Sequence, residues 1–464
     1  REGPETCNTY NMMKLSRQLF LTSGNVRYID YYERAMYNHI LSSQHPGHGG
    51  LVYFTPMRPG HYRVYSNPEK TFWCCVGSGI ENHTKYGELI YAHSSNGLYV
   101  NLFVPSKVDW KDKGLALVQE TTYPESEQSM LTLSLDQSQR FDINVRHPQW
   151  LADGEMIIEI NGESIPSESQ SGSYMRINRM WSDGDQIRVH LPMSTYGEYM
   201  PDGSPYMAIL HGPLVMAAPT TTDHTEGLIA DDSRMGQVSP GILYPRSAMP
   251  MLVIDDDRWM ERVQRNSSQP LSLDISEILY PSDEGKELQL VPFYQVHDTR
   301  YILYWQTGTK EEVKHMREEL AEKEGALMDM ENQTIARVRP GQQQPESEHN
   351  FQGENTSTGV LMNQHWRQST NWFSYDMNDP GREARVLRLI YYGGDANRHF
   401  HIYFNDNHLA EVRLDGSDEN RFSERSYALP VWVVDGREDG IHTVRFEAVE
   451  GSTTGRIADV RILR

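Results

Sequence analysis

The stretch KTFWCCVGSGIEN, Lys70–Asn82, decides how the chain is read. Only three cysteines occur in 464 residues, and two of them, Cys74 and Cys75, stand side by side here. The third, Cys7, lies in PETCNTY, two residues after Glu5. An odd number of cysteines cannot form a disulfide framework, so the thiols need another reason. Glu5, Cys7, Cys74 and Cys75 together supply one carboxylate and three thiolates, a set that suits tetrahedral zinc. Pro4 fits an extended entry to a helix, from which Glu5 and Cys7 can both turn toward one point. Spacing alone leaves three readings open: a metal site, a pair of buried small side chains, or a strained vicinal disulfide.

Outward from this stretch, the first ninety or so residues are mostly helical. Apolar positions from Cys7 to Phe20 recur at helical spacing and a Gly stop follows in LTSGN. A second helix is expected over Val26–Leu41, with Ile29, Tyr32, Met36 and Ile40 on one face. The loop SSQHPGHGG breaks it, LVYFTPM is extended, and IENHTKYGELIYAH reads as a further helix. From about residue 94 the period changes from 3.6 to 2. This predicts a β-sandwich over 94–220, then a smaller β-rich module over 221–309. A charged helix and a Gln- and Pro-rich linker occupy 310–345. A last β-sandwich fills 346–464 and is a candidate carbohydrate-binding module, with Trp366, Trp372 and Tyr375 as aromatic candidates.

Composition narrows the partners. With 43 Lys+Arg against 64 Asp+Glu the net charge is −21, which opposes nucleic acid or an anionic membrane and leaves a neutral ligand such as sugar. No apolar run approaches the roughly 20 residues of a membrane span. The opening REGPETCNTY has neither an initiator Met nor a signal segment, so the chain is expected to be a portion of a longer protein.

The segment EGPETCNTYNMMKLSRQLF, joined across the chain to FWCCVGSGIENHTKYGELIY, resembles the bacterial β-L-arabinofuranosidases of glycoside hydrolase families 127 and 146. The order of the β modules resembles the longer, family 146 type. The resemblance implies that the helical part is the C-terminal portion of an (α/α)6 barrel followed by β-sandwich modules. It implies zinc (Zn2+) held by Glu5, Cys7, Cys74 and Cys75, with Cys74 as nucleophile. It implies an exo-acting, retaining glycoside hydrolase that frees terminal β-L-arabinofuranose from plant arabinose-containing glycans through a thioglycosyl intermediate. It places the general acid/base on a Glu upstream of the Glu-x-Cys element, in a part of the barrel outside this chain. Glycans of that kind reach a bacterium from outside, so export, to the periplasm, is expected.

Zinc coordination would deprotonate a thiol that is otherwise mostly protonated at neutral pH. Near the cysteines, His61 and Tyr62 are candidate sugar contacts, with Tyr65 and His83 behind them, and Glu81 could support the metal ligands. Two alternatives stand beside this reading: a noncatalytic carbohydrate-binding protein with a structural zinc, and a furanosidase of different sugar specificity on the same scaffold.

Overall fold

The computed structural model describes residues 2–166, 169–232, 236–266, 269, 271–282, 288–418 and 421–464. The chain divides into two compact units, Arg1–Glu322 and Lys323–Arg464.

In the first unit, helix α1 (Thr6–Ser23) buries Tyr10, Met13 and Phe20, the inward stripe of its 3.6-residue period. Gly24 ends it in the left-handed region at φ 69°, returning its N–H to the Phe20 carbonyl at 2.7 Å. Helix α2 (Arg27–Ala35) continues through a π-turn (Met36–Ile40) and a 3-10 turn (Leu41–Ser43), which covers the single expected helix. The wide turn faces Asn38 toward the third sheet: its amide donates to the Pro213 carbonyl at 2.8 Å, and its oxygen accepts from Val215 N–H at 2.7 Å. Helix α3 (Cys74–Asn82) begins on the cysteines. Of the helix expected from Ile80 to His93, only Ile80–Asn82 is helical, as the end of α3. Residues 83–90 turn, and Tyr91–His93 opens the first sheet, because the backbone of Ile90 accepts from Asn101 and Leu102 rather than extending α3.

Residues 91–190 form two facing sheets. One orders Tyr91–His93, Gly97–Val100, Gln139–His147 and Ser173–Trp181; the other orders Ser106–Trp110, Leu115–Thr121, Gln128–Leu135, Gln186–His190, Ile157–Ile160 and Glu163–Ile165. Their alternating residues, among them Leu117, Leu133, Phe141, Ile143 and Trp181, are fully buried. A third sheet of ten strands starts at Thr195–Tyr199, not at residue 221. Strands Thr195–Tyr199, Tyr206–His211 and Leu214–Pro219, expected in the sandwich, belong to it. Alternation fixes which face of a strand is buried but not which sheet it joins.

The helical part and both β modules share one hydrophobic core, running from Tyr10 and Ile29 through Phe141 to Trp305. Two polar clamps reinforce it. Arg146, fully buried on the first sheet, donates to Asp30 Oδ1 at 2.6 Å, to Glu33 on α2 and to the Asn101 carbonyl at 2.6 Å. The stretch 293–301 of the third module wraps residues 56–65. Tyr301 Oη donates to the Pro56 carbonyl at 2.7 Å, Arg300 Nη1 to the Gly60 carbonyl at 2.8 Å, and Arg63 lies 4.4 Å over Phe293 while donating to Val296.

In the second unit, nine strands pair antiparallel around a core of Phe373, Leu389, Phe400, Val444 and Ile462. Thr334–Val338, expected as the end of the charged helix, is instead a strand, and the expected linker is partly ordered, as helix Gln343–Glu348. Tyr375 belongs to the core, its hydroxyl donating to Glu346 Oε1 at 2.8 Å. Guanidinium groups lie near the rings of Trp366 and Trp372, Arg456 at 5.5 Å and Arg445 at 4.9 Å. Among the described residues no helix is long and apolar enough to cross a membrane.

Candidate metal centre

Two pairs of candidate ligands, Glu5 with Cys7 and Cys74 with Cys75, lie far apart in sequence and meet at the join of α1 and α3. Glu5 is the extended residue before α1, held by a β-bridge to Phe54, while Thr6 N–H donates to the Tyr53 carbonyl at 3.0 Å. The entry is therefore extended, which Pro4 allows; the Pro4 carbonyl accepts from Thr55 N–H at 3.1 Å. Glu5 and Cys7 thus face the same point despite their two-residue offset. Across from them, Cys74 and Cys75 occupy the first two positions of α3, where backbone N–H groups have no intrahelical partner and favour negative charge. Gly79 fixes the seating of α3, because a Cβ there would approach Leu51 Cδ1 to 2.6 Å.

One ligand atom from each of Glu5, Cys7, Cys74 and Cys75 lies within 4.8 Å of all the others. All three cysteines are free. Cys7 Sγ is 3.0 Å from Cys75 Sγ; Glu5 Oε1 is 3.5 Å from Cys74 Sγ and 3.8 Å from Cys75 Sγ. A zinc tetrahedron with bonds of about 2.3 Å to sulfur and 2.0–2.2 Å to oxygen has edges of roughly 3.5–3.8 Å. The two carboxylate–sulfur edges already match, and the Cys7–Cys75 edge is the one that would open. The donor set therefore fits a divalent metal that accepts sulfur and oxygen, zinc foremost.

Electrostatics point the same way. Burial, with the Cys7 side chain adding to it, pushes the Cys75 thiol well above its ordinary value; burial also raises Cys74. Cys74 and Cys75 thus stay protonated at neutral pH by themselves, and a cation is what would make them thiolates. The sulfurs differ in access: Cys75 is buried, Cys7 half-buried and Cys74 exposed. Ser78 Oγ lies 3.1 Å from Cys7 Sγ.

The other sequence candidates go elsewhere. Tyr62 is fully buried; its hydroxyl donates to the Glu226 carbonyl at 2.5 Å and accepts from Gly241 N–H at 2.7 Å. His61 is equally buried, bridged through its backbone to Tyr301 and packed edge-on against Tyr62. Both brace the barrel portion against the third module. Tyr65 pairs with His297 at 2.7 Å, and His83 with Tyr86 at 2.6 Å. Glu81 faces Tyr10 and lines a shallow pocket with Lys14 and Lys85.

Sequence reading missed Ser78, although it lies one turn after the cysteines on the same helix. It also missed His45, His48 and Asp298, three groups close enough to hold a metal. Their hydrogen bonds argue otherwise. His45 Nδ1 accepts from the N–H groups of Gly47 and His48, and His48 Nδ1 from Gly50 N–H. Each ring therefore carries its proton on Nε2, and His45 spends that proton on Asp298 at 2.8 Å. The rings are stacked 3.8 Å apart, so they cannot both aim in-plane lone pairs at one ion. The cluster is a clamp that holds loop 45–50 against the third module.

Comparison with known proteins bears on this geometry directly. Residues 1–88 match the model described as the β-L-arabinofuranosidase, GH127 catalytic domain, and residues 97–193 that of the GH127 middle domain. Residues 1–88 and 97–193 are thus similar to two successive domains of the GH127 β-L-arabinofuranosidases. All four candidate ligands lie within the catalytic-domain match. Residues 196–307 and 329–463 match two families of unknown function, and the first of these coincides with the third sheet. No curated protein matches the chain. Among solved structures, a GH127 β-L-arabinofuranosidase from Geobacillus stearothermophilus T6 is 18% identical, with 66% of this chain and 50% of that one covered and a TM-score of 0.48. A glycoside hydrolase is 20% identical, with 66% and 52% covered and a TM-score of 0.48. A family 35 carbohydrate-binding module from Clostridium thermocellum is 14% identical, with 27% of this chain and 97% of the module covered and a TM-score of 0.21. The chain spans about half the length of the two hydrolases.

Proposed function

We propose that this protein is a retaining, exo-acting glycoside hydrolase that releases terminal β-L-arabinofuranose from plant glycans, with Cys74 as its nucleophile. The observation that carries the reading is the meeting of Glu5, Cys7, Cys74 and Cys75 at one point, with Cys74 alone exposed. The GH127 catalytic-domain match over the same residues supports the substrate class.

Zinc bound by the four side chains would hold the thiols as thiolates at neutral pH. Cys75, buried, and Cys7, half-buried, are suited to remain as anchors. Cys74, at the open first position of α3, is suited to attack the anomeric carbon. A C1–S bond forms as the glycosidic C1–O bond breaks, and the leaving oxygen takes a proton from a general acid. Water then attacks C1, giving its proton to the same group now acting as base, as the C1–S bond breaks and returns the Cys74 thiolate, so that two inversions retain the configuration. The acid follows from the family resemblance as a Glu upstream of Glu5. A bacterial enzyme of this kind would act after export, in the periplasm.

Metal analysis and turnover of the intact protein test this together. One zinc per chain is expected, and Cys74→Ala should lower hydrolysis of an aryl β-L-arabinofuranoside by at least about a thousandfold. Absence of zinc, or undiminished turnover in the variant, would sink the reading. Stoichiometric zinc with no hydrolysis of any arabinofuranoside would favour a binding protein with a structural metal.

A further inference from the structure

We propose that Ser78 is a positioning residue of the metal centre: its hydroxyl donates to Cys7 Sγ and keeps Cys7 anchored while Cys74 reacts. This rests on the metal-centre reading above. Ser78 lies on α3 three and four residues after Cys75 and Cys74. Side chains on a helix lean toward its N-terminus, so a hydroxyl at this position reaches back over the first turn, where the sulfurs are. The observed distance is 3.1 Å to Cys7 Sγ, a residue on a different helix, 71 positions away. The contact is thus tertiary and joins α3 to α1 at the ligand itself.

The direction of the hydrogen bond follows from the ligand's charge. Between a thiol and a hydroxyl either atom can donate. A metal-bound thiolate has no proton, so only the hydroxyl can, and a bond to an anion is the stronger kind. The alternative acceptor for the Ser78 proton, the Cys75 carbonyl, is farther, at 3.5 Å. Helix α3 cannot easily roll to break the contact, since Gly79 is pressed against Leu51 on the neighbouring position. Three thiolates and a carboxylate outweigh the charge of a divalent ion, and a hydroxyl donor on one sulfur offsets part of that excess. Cys7 is the sulfur so served, which assigns it to the anchor and leaves Cys74 for chemistry.

Zinc competition against a chromophoric chelator, and the absorption spectrum of the cobalt(II)-loaded protein, test this in the intact chain. Partners outside the ligand set typically cost 10–100-fold in metal affinity when removed. Ser78→Ala should weaken zinc binding by about that factor and shift the thiolate-to-cobalt charge-transfer absorption, and Ser78→Thr, which keeps the hydroxyl, should restore both. Ala is the better helix former, so the variant retains α3. Ser78→Ala with wild-type affinity and spectrum would overturn the inference and leave the metal centre standing. So would Ser78→Thr behaving like Ser78→Ala, since packing rather than the hydroxyl would then matter. A wild-type protein that takes up neither metal would remove the parent reading, and this one with it.

Discussion

Replacing Arg146 by Met should destabilise the first unit by about 3–5 kcal/mol, the usual cost of breaking a buried ion pair from one side. Arg146 has no solvent exposure and Glu33 is 1% exposed. Removing the guanidinium leaves the Glu33 carboxylate with only Trp150 Nε1 at 3.1 Å and Tyr123 Oη at 3.4 Å, both neutral donors. Asp30 loses its 2.6 Å partner as well but is partly exposed and can turn to water. Most of the loss therefore comes from one carboxylate. Neutralising it should recover a large share, so the double variant Arg146→Met/Glu33→Gln is expected to be more stable than Arg146→Met alone. Burial already pushes the Glu33 carboxyl above its ordinary value, against the pull of Arg146. A carboxyl whose folded pKa is raised contributes most below its unfolded pKa of about 4.3, and that contribution is lost as pH rises through the folded value. The Arg146→Met deficit should accordingly shrink as pH falls from 7 toward about 4. Urea denaturation followed by tryptophan fluorescence reads all three effects. A loss below about 1 kcal/mol, or a double variant no better than the single one, would refute the view that this clamp joins α2 to the sandwich.

Gly79→Ala should lower the melting temperature by several degrees and reduce metal content, because its Cβ would displace Leu51; overpacking of this kind costs about 1–3 kcal/mol. An unchanged melt with full metal loading would show that α3 is not seated by this contact. Asp298→Ala should change global stability by less than about 1 kcal/mol, since the carboxylate is half exposed, yet speed proteolysis within residues 45–50. Equal cleavage rates would mean that the His45 clamp is idle. Burial depresses His39, His83, His211 and His297 to about 4. Groups with depressed folded values contribute stability above their unfolded pKa of about 6.5 that is lost as pH falls toward 4. The melting temperature should fall over that window, and a flat profile from pH 7 to 4.5 would contradict it.

Much of the site could be read from the chain itself. Cysteine scarcity, the Glu-x-Cys element and the adjacent pair pointed to four candidate ligands, which the family resemblance preferred over buried thiols or a vicinal disulfide, and the fold brings the four together. Periodicity located α1, α2 and the change to strands. It failed at Ile80–His93, where a helical pattern yields to backbone pairing with a strand that the local sequence cannot announce. It also failed at Thr195–Pro219, where strands of the same alternation enter a different sheet. His61 and Tyr62 lie near the cysteines in sequence, but packing makes both of them braces.

The sequence by itself picked out the candidate donor set and most of the helical and β regions, because each depends on residue type and local spacing. Only the tertiary structure decided which sulfur is open and which is buried, that Ser78 meets Cys7 from another helix, and that the third module holds the loops behind the site. Those facts depend on which surfaces meet across long stretches of chain, and no local pattern encodes that.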